Sequence, residues 1–312
     1  MRSEWELALP DRVEIIEVGP RDGFQIQPVF IPTEDKIRII RSLIAAGVQR
    51  MEVAAFVHPK AVPQMRDAAE VVRAIGAAGC ECFVMVPNLK GAERAIESGA
   101  KMLNLVVSVS ESHNRSNVRM SVDESLAGFP PVIAMAAQSG VTVRASMATV
   151  FGCPFEGDVP IDRMLWVGRA LVDLGCVELN LCDTTGMANP RQVARVARAA
   201  CEAFPKTKLS MHFHNTRGAG AANVLAAMQN GILSFESSFG GLGGCPFAPG
   251  AAGNVCTEDI VHMLHEMEIG TGIQLEALLD AVRDAEKILG ITFPGQVIKA
   301  GRTCDLHPQP IL

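Results

Sequence analysis

Apolar and polar positions follow two alternating regimes along this chain. Short β-branched or apolar runs suit strands, and longer amphipathic stretches with helical spacing separate them. The strand-like runs begin near Val13 (VEIIEV), Arg50 (RMEVAAF), Glu81 (ECFVMV), Met102 (MLNLVVSV), Val141 (VTVRASMATV), Val177 (VELNL), Leu209 (LSMHFH) and Ser234 (SFESS). Thr33 reads as the N-cap of a helix through EDKIRIIRSLIAAG, ended by Gly47. Further helical stretches fall near 64–77, 90–98, 122–138, 160–174, 190–203, 218–230 and 257–267, with a last one near 273–289. Eight strand–helix units in about 250 residues is the arithmetic of a (β/α)8 TIM barrel. A doubly wound sheet usually shows about five or six. The expected organisation is α/β and one catalytic domain over 1–312, with the barrel over about 13–267 and an additional C-terminal helix and tail over about 268–312.

Composition narrows the class. Of 312 residues, 48% are apolar and 20% charged, enough for a large core and incompatible with global disorder. Lys+Arg 28 against Asp+Glu 34 gives a net charge of −6 without any basic run, which argues against a nucleic-acid partner. Apolar runs such as Val132 to Ala137 fall far short of the roughly 20 residues of a membrane span. The start, MRSEWELALP, is neither a secretory signal nor a transit peptide. Nine cysteines, odd in number and irregularly spaced, read as reduced thiols in a cytoplasm. Cys80 and Cys82 are two apart and do not form a Cys-x-x-Cys pair, and Cys304 reads as an ordinary thiol.

Barrel chemistry sits on the loops after the strands' C-terminal ends. After the first strand, Gly19-Pro20 is followed by Arg21 and Asp22 side by side, either a turn ion pair or a functional pair. In the seventh strand Ser210, His212 and His214 share one face, and Leu209, Met211 and Phe213 the other. The apolar face suits the outer helices. Two imidazoles on the inner face, roughly 6–7 Å apart by strand rise, can chelate one cation. Glu52 shares a face with Ala54 and Phe56 in the second strand, where a carboxylate is costly unless paired; it reads as an ion pair with an arginine, a catalytic group, or both. Glu178 and Asn180 share a face in the sixth strand, and Asp183-Thr184-Thr185-Gly186 at its end reads equally as a turn.

The eighth strand leads into GGLGGCPFAPGAAGN (240–254), a Gly-dense stretch that suits a flexible loop or a phosphate cradle but lacks the lysine of a Walker loop. Cys245 in this loop can close over a substrate as an acid–base group. Asn254 can cap the helix beginning VCTEDIV or lend its amide oxygen to a metal. Asp22, His212, His214 and Asn254 together offer two oxygen and two nitrogen donors. Such a set suits Mg²⁺ or Mn²⁺, and Zn²⁺ less so because no thiolate demands it.

The stretches EVGPRDGFQ (17–25), FVHPKAVPQM (56–65), PNLKG (87–91), GCPFEG (152–157), DTTG (183–186), HFHNTRG (212–218) and GLGGCPFAPGAAGN (241–254) give the chain a further reading. With them it resembles the hydroxymethylglutaryl-CoA lyase family, within the metal-dependent lyase and Claisen-type barrel superfamily. The resemblance implies retro-Claisen cleavage of 3-hydroxy-3-methylglutaryl-CoA to acetyl-CoA and acetoacetate. It implies Asp22, His212, His214 and Asn254 as metal ligands, and Arg21 as the group that stabilises the enolate oxygen. Glu52 and Asp183 match active-site carboxylates, and Cys245 matches the loop cysteine. His212 is also a candidate base, and Gln25, Ser146 and Asn180 join Arg21 on the substrate side. The expected partner is an acyl-CoA, and a homodimer or higher homo-oligomer follows from the resemblance alone.

Three positions depart from the family's usual pattern. Asn215 stands where Asp is frequent, Ser146 where Tyr is frequent, and Asn180 where Ser is usual; the chain has no Tyr. The last two leave the acyl group open to citramalyl-CoA or a branched 3-hydroxyglutaryl-CoA. A Claisen-type synthase or an aldolase is the competing reaction class.

Overall fold

The computed structural model describes residues 9–76, 78–244 and 253–306. Eight strands form where the apolar runs place them: Glu14–Glu17 (β1), Arg50–Ala55 (β2), Glu81–Met85 (β3), Met102–Ser108 (β4), Thr142–Ala148 (β5), Glu178–Asp183 (β6), Lys208–Phe213 (β7) and Ser234–Ser237 (β8). All pair in parallel and in sequence order, and β8 closes on β1 with Glu14 opposite Ser234. The (β/α)8 barrel is therefore present as expected.

The surrounding helices are Thr33–Ala45 (α1), Ala68–Ile75 (α2), Leu89–Glu97 (α3), Glu111–Val118 (α4), Val122–Gly128 (α5), Pro130–Gln138 (α6), Ile161–Asp173 (α7), Pro190–Ala203 (α8), Gly220–Met228 (α9) and Thr257–Glu266 (α10). Beyond the barrel come Leu275–Leu289 (α11) and Val297–Ala300 (α12). Three details differ from the sequence pattern. The polar stretch ESHNRSNV lacks an apolar stripe yet forms α4, because the Ser110 hydroxyl caps it by accepting from His113 N at 3.1 Å. The single helix expected over 122–138 is broken at Phe129, since Pro130 has no N–H to continue it and starts α6 instead. Thr33 is inside α1 rather than its cap: Pro32 occupies that position, with no side-chain capping bond.

A bulge in β2 also changes a face. Glu52 lies opposite Phe83 but Ala54 lies opposite Val84, so Val53 is extra and Ala54 turns away from the Glu52 side. On the outer face of the strands, Leu179, Leu181, Met211 and Phe213 are fully buried. Each such side chain contributes about 1.5–3 kcal/mol. α11 lies along α1, and Gln274, the residue just before α11, donates N–H to Ala46 O at 2.8 Å. Phe293 then packs on Phe239 with ring centroids 5.8 Å apart. Gly240, at φ 64°, makes room for it: a Cβ there would strike the Phe293 ring. No helix of the described residues is long and apolar enough to cross a membrane.

The barrel interior is charged at its lower end. Arg50 Nη2 donates to Glu178 Oε2 at 2.5 Å and Arg50 Nε to Glu81 Oε1 at 2.6 Å. Arg144 Nη2 lies 2.9 Å from Glu178 Oε1, and its Nη1 donates to Glu236 Oε1 at 2.7 Å. Both guanidiniums stand over the Phe83 ring, at 5.5 and 4.4 Å from its centroid. An isolated charge here would cost several kcal/mol, and the mutual pairing is what makes the layer tolerable.

Candidate active site

The site begins where β1 ends. Gly19–Gly23 form one π-helical turn, with Asp22 N bonded to Val18 O at 2.7 Å. Arg21 and Asp22 thereby come to a cavity of about 390 Å³ at the C-terminal end of the barrel, which Gln25, Ser146, His212, His214 and Glu236 also line. Arg21 Nε donates to Glu52 Oε2 at 2.5 Å and its Nη1 to Asp22 Oδ1 at 2.7 Å. Gln25 Nε2 donates to the same Asp22 oxygen at 2.9 Å. The dipeptide is thus more than a surface ion pair. Its guanidinium is fixed at the cavity wall by two carboxylates.

β7 delivers both histidines to the inner face, as its alternation requires, with ring centroids 5.0 Å apart. One donor atom each from Asp22, His212 and His214 lie within 4.8 Å of one another, and all three residues are buried. Asn254, far away in sequence, arrives through the backbone. Val255 N donates to Phe213 O at 3.0 Å and Asn215 N to Gly253 O at 3.1 Å, so Asn254 pairs beside His214. Its Nδ2 donates to Asp22 Oδ2 and to Leu242 O, each at 2.9 Å. It does not cap α10, where Cys256 holds that position. Gly243, at φ 113°, approaches so closely that a Cβ would strike the Asn254 amide.

A divalent cation fits this donor set. His214 Nδ1 and Asn254 Oδ1 are buried without a hydrogen-bond partner among the described residues, which is costly unless something else meets them. Burial works against the charged form of Asp22, but Arg21, His212 and His214 more than offset it and hold its carboxyl below the usual range. Burial and the neighbouring His212 push His214 down to about 3, so it is a neutral imidazole ready to ligate. For His212, burial is outweighed by the bond and charge of Glu236, which raise it above its ordinary value. Around the site the buried carboxylates Asp22 and Glu52 pair with the Arg21 guanidinium, and Glu236 pairs with Arg144 and His212.

Asp183 sits at the end of β6, but one of its oxygens turns to its own loop. Oδ1 accepts from Met187 N at 2.8 Å and Ala188 N at 3.1 Å, while Oδ2 is buried and unpartnered among the described residues. Burial pushes its carboxyl up to about 6 despite those two donors. Arg217 of the histidine loop clamps the adjoining turn by donating to Thr185 O and Gly186 O at 3.2 and 2.8 Å. Cys245 lies outside the described residues.

A family model described as HMGL-like matches residues 12–284. The chain belongs to the HMGL-like family. It is 46% identical over 288 residues to hydroxymethylglutaryl-CoA lyase YngG of Bacillus subtilis, covering 92% of this chain and 96% of that one. It is 42% identical over 293 residues to the 3-hydroxy-3-isohexenylglutaryl-CoA/hydroxymethylglutaryl-CoA lyase of Pseudomonas aeruginosa, covering 94% and 98%. Among solved structures, an HMG-CoA lyase from Acinetobacter baumannii in complex with coenzyme A and 3-methylmalate superposes with a TM-score of 0.91 at 45% identity, covering 96% and 98%.

The departures from the pattern of the HMGL-like family now have local explanations. Asn215 Oδ1 accepts from Gly220 N at 3.1 Å at the start of α9, a bond that an amide or a carboxylate oxygen can make equally. Ser146 does reach the cavity, but its hydroxyl is engaged, donating to Asn104 Oδ1 at 3.1 Å and accepting from Asn180 Nδ2 at 3.2 Å. Asn180 itself is fully buried, bonded to Ser146, and is not among the residues that line the cavity. Sequence reasoning missed Glu236, Arg144 and Asn104, all held at the barrel axis. Period-two alternation puts Glu236 inward on β8, but nothing nearby in sequence marks its partners.

Proposed function

We propose that the protein is a divalent-metal-dependent acyl-CoA lyase that cleaves 3-hydroxy-3-methylglutaryl-CoA to acetyl-CoA and acetoacetate. The observation that carries this reading is the grouping of Asp22, His212 and His214 beside the fixed guanidinium of Arg21 at one cavity. Asp22, His212, His214 and Asn254 would hold Mg²⁺ or Mn²⁺. When bound, the cation supplies Lewis-acid polarisation of the substrate's tertiary hydroxyl and carboxylate.

The chain's own groups complete the chemistry. A base takes the hydroxyl proton, and the C–C bond breaks as the hydroxyl carbon becomes the ketone of acetoacetate. The bonding pair moves into the acetyl-CoA enolate, and Arg21, positioned by Glu52 and Asp22, offsets the charge on its thioester oxygen. Protonation of the enolate carbon then gives acetyl-CoA. Cys245, in the Gly-rich stretch after β8, is the proposed acid. Asp183 keeps one buried oxygen for proton traffic while the other holds its loop. The same reading carries an acyl-CoA ligand without nucleic acid or membrane, a cytoplasmic setting and a homo-oligomeric assembly.

A second reading concerns the acyl group. One wall of the cavity is apolar, with Met85, Val106, Met120 and Phe129, and Ser146 is small beside it. That wall favours a longer branch at C3 of a 3-hydroxyglutaryl-CoA as an additional substrate. Acetyl-CoA release measured by mass spectrometry, with hydroxymethylglutaryl-CoA beside citramalyl-CoA and a longer-branched ester, tests both readings. Metal-dependent release from the first supports the main reading. Release only from another ester moves the substrate, and release from none, with metal bound, rejects the lyase reading for these acyl groups.

A further inference from the structure

Beneath the candidate ligands, the polar side chains of the barrel interior form one unbroken hydrogen-bonded chain. Asn104 Nδ2 donates to Glu52 Oε1 at 2.7 Å, Ser146 to Asn104, and Asn180 to Ser146. Ser210 Oγ lies 3.2 Å from Asn180 Oδ1 and accepts from Arg144 Nη2 at 3.1 Å. Arg144 Nη1 donates to Glu236 Oε1, and the chain ends where Glu236 Oε2 meets His212 Nδ1 at 2.9 Å. Its first member, Glu52, is the residue that holds Arg21.

We propose that Glu236 is the positioning residue of the metal site: its Oε2 fixes His212 as the tautomer protonated at Nδ1, which turns Nε2 toward the cation, while Arg144 holds the carboxylate in place. The inference rests on reading His212 as a ligand. Glu236 stands directly opposite His212 in the β7–β8 register, so both side chains share the inner face. It is 2% exposed, and both oxygens are engaged, one by each partner. A carboxylate at this depth is tolerated only because Arg144 neutralises it. Accepting the N–H of a ligand imidazole fixes its orientation and makes the other nitrogen a better donor, and loss of such a partner typically costs about 10–100-fold in metal affinity.

The test uses full-length protein stripped with chelator. Free Mn²⁺ is followed by electron paramagnetic resonance, and the histidine tautomers by long-range ¹H–¹⁵N spectra of ¹⁵N-histidine protein with Mg²⁺. Glu236→Gln should raise the Mn²⁺ dissociation constant about 10–100-fold and remove the Nδ1–H signature of His212. Glu236→Asp, which keeps the charge, should recover part of the affinity. Glu178→Gln breaks the same network below Ser210 without touching His212 and should leave Mn²⁺ affinity within a few-fold. Unchanged affinity and tautomer in Glu236→Gln would overturn the proposal, as would an equal loss in Glu178→Gln. Wild-type protein that binds no Mn²⁺ would instead overturn the metal reading beneath it.

Discussion

The barrel interior holds two layers of buried charge, and they differ in what they leave unmet. In the lower layer Arg50 and Arg144 are bonded to Glu81, Glu178 and Glu236, and Phe83 packs beneath both; Arg144 Nε has no partner among the described residues, but it does not face the cavity. In the upper layer Asp22, His212, His214 and Asn254 converge on one another, yet His214 Nδ1 and Asn254 Oδ1 find no partner among the described residues. Arg50, Arg144, Glu178 and Glu236 are as buried as Asp22, His212, His214 and Asn254, so desolvation alone does not mark a site. The mark is buried donor capacity left open beside a cavity. Charges paired with one another rigidify the barrel, and open donor atoms beside a cavity are free to meet a ligand.

Four substitutions sharpen that contrast, from the largest effect to the smallest. Cys245→Ala should cut turnover on the order of 10²–10⁴-fold, the usual worth of a positioned acid, with Mn²⁺ affinity intact. Near-normal steady-state turnover would remove Cys245 from the chemistry. In the lower layer, Glu178→Ala takes a buried carboxylate partner from both Arg50 and Arg144 and should cost about 3–5 kcal/mol in denaturant unfolding. Unchanged stability there would erase the distinction between the layers. Arg21→Gln should lower kcat on the order of 10²–10³-fold with little change in unfolding midpoint; a pure KM effect would reduce Arg21 to a binding group. Ser146→Ala removes two hydrogen bonds of the interior chain and should cost about 1 kcal/mol of stability with turnover within a few-fold. A large turnover loss would give Ser146 the substrate contact that its engaged hydroxyl argues against.

Much of this was legible from the residues, for identifiable reasons. Parallel barrel strands are covered on both sides, so each shows as a compact apolar run, and all eight lie where those runs begin. His212 and His214 were readable because period two puts alternate residues on one face. The bulge at Val53 shows the limit of the same rule, since one extra residue turned Ala54 away from Glu52. α4 was hidden because its cap, not an apolar stripe, defines it. Asn254 had two readings in sequence, and the structure removes one of them, because Cys256 holds the N-cap position of α10. Glu236 was invisible as a functional residue because Arg144, its neutralising partner, lies 92 positions away. Asn180 faces inward as expected, but depth along the barrel axis cannot be read from alternation, and it is buried below the cavity.

The most direct test is a Mn²⁺ titration of the chelator-stripped protein, following bound metal by electron paramagnetic resonance and acetyl-CoA release from hydroxymethylglutaryl-CoA in the same samples. The open upper layer predicts that release rises in step with occupancy of a single tight site per chain, and that His214→Ala abolishes both. Full release from metal-free protein, or tight Mn²⁺ binding that survives His214→Ala, would contradict it.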